Sequence, residues 1–220
     1  MTSIGWSAST SSSYYARTRN SALLVAMLFL AYAVPLCVPT ARAQSLSDAK
    51  PAARRAAARA LSASKADRDV RTVRAALRRE KDPLTRAVLV GVLGVQRPDE
   101  SSLPDLEKAA KDSEAVVRLE AAAALGRVPG ARATADLSDL LALDPDAEVR
   151  QMAALRLSGR SGGIDALAEA AGADADPGVR VQAVHALGGE SAAKARTAVA
   201  KAKSDPHPDV KRMAKTAEGR

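Results

Sequence analysis

Cysteine and the aromatic residues are scarce in this chain. Cys37 is the only cysteine among 220 residues, which excludes an internal disulfide and a cysteine-based metal site. The chain has one Trp, three Tyr and one Phe, and all of them precede residue 44. A single-core globule relies on aromatic side chains that each bury about 150–250 Å². Residues 44–220 therefore favour stacked, alanine-rich helices over one large core.

Acidic residues are absent from the first 43 positions, whose pattern is typical of an export signal. Two arginines precede the apolar run SALLVAMLFLAYAVPLCV, which is followed by PTARA. This order predicts a secretory signal peptide that is cleaved between Ala43 and Gln44. We therefore expect a signal over residues 1–43 and a mature domain over residues 44–220.

The same apolar run leaves a second interpretation open. It reaches Pro35 after about 13 residues, fewer than the ~20 that a membrane-spanning helix needs. Counted through Val38, the run is long enough to anchor an uncleaved chain. Cleavage predicts a periplasmic or secreted protein, whereas an uncleaved first segment predicts a protein held at the membrane.

A basic residue recurs along the rest of the chain at an almost constant spacing. The copies lie 32, 32, 32, 30 and 31 residues apart, at Arg54, Arg86, Arg118, Arg150, Arg180 and Lys211. An acidic residue stands six positions before each copy, at Asp48, Glu80, Asp112, Asp144, Asp174 and Asp205. Mostly apolar residues recur one position before each copy and three and seven positions after it. These positions share one face of a helix.

Start and stop signals accompany each of these helices. The pairs Asp82-Pro83, Asp144-Pro145, Asp176-Pro177 and Asp205-Pro206 predict an N-cap followed by proline in the first turn. A small residue eight positions after each basic residue is predicted to end the helix. A second apolar helical segment lies between copies, so each unit is a helix–turn–helix of about 31 residues. Such a period indicates a solenoid, whose units bury their apolar faces by stacking.

The pattern is most complete in DSEAVVRLEAAAALG, which resembles the HEAT repeat, and DADPGVRVQAVHALG nearly matches it. The repeats are most similar to the short HEAT-like repeats of phycobilisome bilin lyases. The resemblance covers roughly residues 47–220 and implies an all-α, right-handed α-solenoid of about five and a half repeats. It also implies that each recurring basic residue reaches an acidic residue at the inter-helix turn of its own or a neighbouring repeat. We call these twelve residues the arginine ladder, and expect it to set the stacking register.

No pattern of catalytic, cofactor-binding or metal-binding residues accompanies the repeats. The chain has no Ser-His-Asp spacing, phosphate-binding glycine loop or dinucleotide fingerprint. His185 and His207 have no indicated third ligand, whereas structural zinc normally takes four. Bilin lyase activity is not implied, because only the repeat scaffold matches. We therefore expect a protein that is not an enzyme and needs no cofactor.

One feature of the sequence is a candidate binding surface. Residues 44–98 carry 13 Lys or Arg against 5 Asp or Glu, whereas residues 99–220 carry 17 against 20. On a helix, Arg71, Arg74 and Arg78 lie within about one-sixth of the circumference. This basic ridge suits an acidic protein, anionic lipid or an acidic polysaccharide, although a solvated helix face explains it equally simply. Nucleic acid is disfavoured by export and by the missing aromatic stacking residues.

The function expected from these patterns is binding. The sequence predicts an exported scaffold or adaptor that contacts another protein through an extended face of stacked helices. By resemblance, the contacts would come from the segments between the ladder residues, near residues 66–79, 99–111, 133–143, 164–171 and 193–203. The alternative is a membrane-anchored envelope factor that binds anionic lipid or polysaccharide through the basic ridge.

Overall fold

The computed structural model describes residues 45–218, and all regular structure in that range is helical. The predicted signal over residues 1–43 and its cleavage site at Ala43 and Gln44 lie outside the described residues. No helix within the described range is long and apolar enough to cross a membrane.

The described residues form eleven α-helices, which make five pairs and one additional helix. They are α1 Pro51–Ala60, α2 Asp67–Arg79, α3 Pro83–Gln96, α4 Leu103–Ala109, α5 Ala115–Leu125, α6 Ala131–Leu143, α7 Ala147–Leu157, α8 Ile164–Ala173, α9 Pro177–Leu187, α10 Ala193–Ala202 and α11 Pro208–Glu218. Short 3-10 turns at Glu100–Ser102 and Ser161–Gly163 lead into α4 and α8. The predicted all-α solenoid is confirmed.

The helices stack in two layers. The helices that carry the recurring basic residue are α1, α3, α5, α7, α9 and α11, and each packs on the next in chain order. We call them the ladder helices. Each of the remaining helices, the outer helices α2, α4, α6, α8 and α10, packs against the ladder helix that follows it.

The core lies between these two layers, on the faces that the apolar spacing predicts. In α5, Val117, Ala121 and Leu125 are buried, and they occupy the positions one before, three after and seven after Arg118. Leu137 of the next outer helix is buried in the same cluster. Because most ladder-helix core residues are alanine or valine, the helices can approach closely without aromatic side chains.

Two of the four predicted helix starts are wrong. Asp82 and Asp176 cap α3 and α9: the Asp82 side chain accepts a hydrogen bond from one backbone N–H of the first turn, and the Asp176 side chain accepts from two. By contrast, α7 and α11 begin two residues later than predicted, and Asp146 caps α7. The carboxylates of Asp144 and Asp205 instead bind ladder arginines of the preceding repeats.

The small residue predicted to end each ladder helix does so in α5, α7 and α9, where Gly126, Ser158 and Gly188 directly follow the last helical residue, but not in α3. Helix α3 continues to Gln96, so Gly94 does not end it. A Cβ atom added at Gly94 would lie 2.6 Å from the Cβ of Ala124 on the next ladder helix, and one at Gly126 would lie 2.4 Å from Cδ of Arg156. These glycines therefore permit the close approach of successive helices.

Candidate functional site

The arginine ladder joins each ladder helix to the following repeat. Arg118 donates from Nε and Nη2 to the two carboxylate oxygens of Asp144, at 2.8 and 3.0 Å. Its Nη1 donates to the backbone oxygen of Asp112, in the turn before its own helix, at 3.0 Å. Each guanidinium of this kind thus links its own turn to the next one.

Five ladder positions make this two-bond contact with a carboxylate. The pairs are Arg54–Glu80, Arg86–Asp112, Arg118–Asp144, Arg150–Asp174 and Arg180–Asp205. The acidic partner always belongs to the following repeat, a choice that the resemblance left open. The guanidinium also bonds a backbone oxygen in its own turn, so a single side chain sets the position of two repeats.

The two ends of the ladder lack such a pair within residues 45–218. The Asp48 carboxylate accepts a bond from the Lys50 backbone N–H at 2.8 Å, and meets no ladder arginine. Lys211, the last ladder residue, is exposed and makes no ion pair with a described residue. The carboxylate of Asp205, in the turn before α11, is bound by Arg180 of the preceding repeat.

The ladder contacts change the ionisation of their members. Hydrogen bonds to carboxylates raise the pKa of the five ladder arginines above the ordinary value. The hydrogen bonds from Arg54 and Arg180 lower the pKa of Glu80 and Asp205, respectively. Burial favours the neutral form of Asp112, but the bonds from Arg86 and nearby backbone outweigh it and its pKa is also lowered. The five arginines, Glu80, Asp112 and Asp205 are therefore held in their charged forms.

The basic ridge is partly engaged in structural contacts. Arg74 lies with its Nε 2.8 Å from an Asp105 carboxylate oxygen and donates from Nη2 to the Ser101 backbone oxygen at 2.5 Å. Arg78 lies 3.9 Å from the same carboxylate and stays mostly exposed. Arg71 is exposed. Asp105, on the following outer helix, was not singled out from the sequence because it lies outside the repeated pattern.

The ladder helices expose an apolar stripe that the sequence analysis did not recognise. We define the exposed stripe as Leu84, Val116, Leu119, Leu155 and Val181, on four consecutive ladder helices. Leu84 is 52% exposed and Leu155 is 42% exposed, and the other three are half-buried. They stand two before, one after or five after the ladder residue, positions within about 60° of one another on a helix.

The same positions at the two ends of the stripe are mostly polar. On α1 they hold Ala52, Arg55 and Arg59, and on α11 they hold Asp209, Arg212 and Thr216. Arg59 is exposed, whereas Arg55 pairs with Asp82 at 2.9 Å. Arg212 likewise pairs with Asp209 at 2.6 Å, so the stripe is bounded by polar positions at both ends.

A second group of charged residues lies on α5, in the turn after it, and near the end of α7. We define the central arginine site as Glu120, Arg127 and Arg156, all of them half-buried. The stem of Arg156 lies against Gly126, and Arg127 donates from Nη1 to the Ala123 backbone oxygen at 3.0 Å. Burial raises the pKa of Glu120 although both arginines oppose it. Burial, with the nearby charge of Arg127, lowers the pKa of Arg156.

Another nearby arginine has a structural role that spacing alone did not indicate. Arg160 donates from Nη2 to the backbone oxygens of Gly126 and Val128, at 3.0 and 2.7 Å. Its Nη1 donates to the Thr134 hydroxyl at 3.1 Å. Arg160 therefore fixes the turn between α5 and α6, and satisfies carbonyls left over at the end of a helix.

The histidines form no metal site. His185 is half-buried on α9, and His207 accepts a bond at Nδ1 from the Asp209 backbone N–H at 3.3 Å. In the described part of the chain, no group of three or more His, Cys, Asp or Glu side chains could hold a metal ion.

Comparison with known families agrees with the repeat geometry. The HEAT-repeat profile matches residues 70–158. These residues extend from α2 to the end of α7 and contain the arginines of three of the five ladder pairs. Residues 70–158 therefore contain HEAT repeats. The family predicted from the sequence is thereby confirmed, and with it the helical repeat scaffold.

Solved structures resemble these HEAT repeats in fold. The X-ray structure of YibA from Escherichia coli has a TM-score of 0.58 at 19% identity, covering 80% of this chain and 68% of YibA. Human deoxyhypusine hydroxylase, solved with glycerol, has a TM-score of 0.42 at 18% identity, covering 88% of each chain. The first likeness concerns the fold alone, and the second is too weak to indicate fold or activity. No curated protein matches the sequence significantly.

Proposed function

We propose that this HEAT-repeat protein is a scaffold that binds another protein and catalyses no reaction itself. The observation that carries the proposal is the exposed stripe. Leu84 and Leu155 expose large apolar side chains to solvent on a layer whose helices stack directly on one another. Apolar surface that continues across neighbouring elements marks a site that a partner covers.

The ladder helices suit this role better than the outer helices named by the resemblance. The exposed positions of the outer helices are mainly polar, and include Arg71, Lys108, Asp139, Glu169 and Lys201. One exception is Leu143 at the end of α6, which is 78% exposed. A polar, evenly solvated face offers little apolar area for a partner to bury. We therefore place the binding surface on the ladder helices.

We further propose that the scaffold acts in the periplasm or outside the cell. This proposal rests on the signal pattern of residues 1–43 alone. An intact mass that begins at Gln44, measured on protein purified from its own cells, would support it. A mass that includes residue 1 or 2 would instead support the membrane-anchored alternative.

That alternative is a second candidate function, and exposed arginines on α2 favour it. Arg71, Arg78 and Arg79 face solvent and could meet anionic lipid or an acidic polysaccharide. Arg74 contributes less to such a surface, because Asp105 and Ser101 hold its guanidinium.

Site-specific photocrosslinking in the producing cells separates the two candidates. A benzophenone amino acid is placed in the full-length chain at Leu155, at Arg71, or at the exposed Ala200 of α10 as the control. The scaffold proposal predicts a discrete protein adduct from position 155 and none from position 200. A discrete adduct from position 71 alone would move the binding surface to the basic ridge. Equal, diffuse labelling from all three positions would contradict a defined binding surface.

A further inference from the structure

The arginines of the central arginine site differ from most others in the repeats. All five ladder arginines and Arg74 have a carboxylate oxygen within ion-pair distance. Among the described residues, no carboxylate lies that close to Arg127 or Arg156. Nε of Arg156 is buried and has no hydrogen-bond partner there. This site therefore retains unused donor capacity.

The surrounding contacts hold both guanidinium groups at one end of α5. The Arg156 stem lies against Gly126, where an added Cβ would come within 2.8 Å of its Cβ, Cγ and Cδ atoms. Arg127 is held by its bond to Ala123 in the last turn of the same helix. Packing thus positions the two cations without neutralising either of them.

The charge inside the site is not balanced. Glu120 supplies one negative charge near two positive charges, and it lies beyond ion-pair distance from both arginines. The environment of Arg156 is partly desolvated and also contains the positive charge of Arg127. An added carboxylate would offset this repulsion, and the planar guanidinium fork can bind both of its oxygens.

The central arginine site and the exposed stripe occupy neighbouring positions on α5 and α7, about 100° apart around each helix. Leu119 directly precedes Glu120, and Leu155 directly precedes Arg156. A segment that covers Leu155 would therefore bring its neighbouring side chains within reach of the arginines. We infer that the central arginine site binds an Asp or Glu side chain of the partner segment, beside an apolar residue that packs on Leu155. The inference rests on the proposed function and names the chemistry of the segment bound.

The test uses a random-peptide phage library as the probe and the purified protein as the target. Synthetic copies of the enriched peptides are titrated by fluorescence anisotropy against the wild type and three variants, Arg156→Gln, Arg156→Lys and Leu155→Ser. Lys201→Gln is the matched control, because it removes one positive charge from an exposed position of outer helix α10. Circular dichroism melting establishes that each variant is folded before titration.

The inference predicts enriched peptides that combine apolar residues with Asp or Glu. Arg156→Gln should weaken their binding at least about tenfold, the loss expected for a charged hydrogen bond. Arg156→Lys should restore part of the affinity, whereas Lys201→Gln should leave it unchanged. Replacing the acidic peptide residue by its amide should weaken binding to the wild type and have little further effect on Arg156→Gln.

Two other results separate the inference from the proposed function. If Leu155→Ser weakens binding and Arg156→Gln does not, the acidic contact is overturned and the apolar binding surface stands. If no peptide is enriched, or neither variant changes the affinity, both the inference and the proposed surface are overturned. Equal weakening by Arg156→Gln and Lys201→Gln would indicate general charge attraction and would also overturn the inference.

Discussion

At the residue scale, the ladder helices approach closely because glycine, which has no Cβ atom, stands at the contact points between them. Gly94 lies inside α3, and an added Cβ would be 2.6 Å from the Cβ of Ala124. Gly172, near the end of α8, has nothing within 4 Å of its added Cβ. The two positions therefore allow the same substitution to be compared with and without a neighbouring helix.

Gly94→Ala should destabilise the protein by about 1–3 kcal/mol, because overpacking forces α3 and α5 apart. Gly172→Ala should instead stabilise it by roughly 0.5–1 kcal/mol, because alanine favours the helix. Urea unfolding followed by circular dichroism measures both. Equal effects at the two positions would exclude close helix contact as the function of Gly94.

Removal of one ladder guanidinium should be costly. Arg118→Gln leaves Asp144, which is 2% exposed, without its charged donors, so we expect a loss of about 1–3 kcal/mol in unfolding free energy. Lys211→Gln is the control, since Lys211 is exposed, and it should change stability by no more than about 0.5 kcal/mol. Thermal and urea unfolding check the pair, and a ladder without a stabilising role would give two equally small effects.

Acid should weaken the ladder. In the folded protein, the pKa values of Glu80, Asp112 and Asp205 are lowered. These carboxylates therefore stabilise the fold at pH values above their ordinary pKa of about 4. That stability is lost as the pH falls through the lowered values. We expect unfolding free energy to decrease below about pH 4, and to decrease less in Asp112→Asn. Urea unfolding across this pH range would contradict the prediction if the two proteins showed the same acid dependence.

The ladder residues could be identified from sequence because each repeats at a fixed offset. The same spacing could not decide which acidic residue Arg118 binds, since Asp112 and Asp144 are chemically alike. The packing of one repeat on the next decides this: Arg118 binds the carboxylate of Asp144 and the backbone oxygen of Asp112. Glu120 and Arg156 could not be identified from the spacing, because neither belongs to the repeated pattern.

At the element scale, apolar periodicity located every ladder helix but misplaced some of their ends. The start of α7 was wrong because Asp144 and Asp146 are both good capping residues. Asp144 is bound by Arg118, which leaves Asp146 as the cap. A contact between repeats thus decides a boundary that local capping preference leaves ambiguous.

A charge in the core of one helix should disrupt its contacts with the neighbouring helices. Leu125 is fully buried in α5, so Leu125→Asp would bury a carboxylate without a partner and destabilise the protein by more than about 3 kcal/mol. Val116→Asp places the same charge at a half-buried position of the same helix and should be milder. Melting followed by circular dichroism would refute the register if Leu125→Asp left the transition unchanged.

At the scale of the whole molecule, each helix contacts only its near neighbours, so stability is distributed along the chain. Deleting residues 190–220 removes α10 and α11 and leaves the preceding helices with their own contacts. The shortened protein should remain helical and unfold at lower urea concentration, because one interface between repeats is lost. Loss of all helical signal would show instead that folding requires the complete described chain.

The direction of the ladder pairs has a consequence for how such a protein changes its length. Every internal unit offers one guanidinium to the unit after it and one carboxylate to the unit before it. A duplicated unit inserted between two others would therefore find both complements already in place. Tandem duplication could lengthen the array, and deletion could shorten it, without a compensating substitution in either neighbour, so the number of repeats can evolve separately from their sequence.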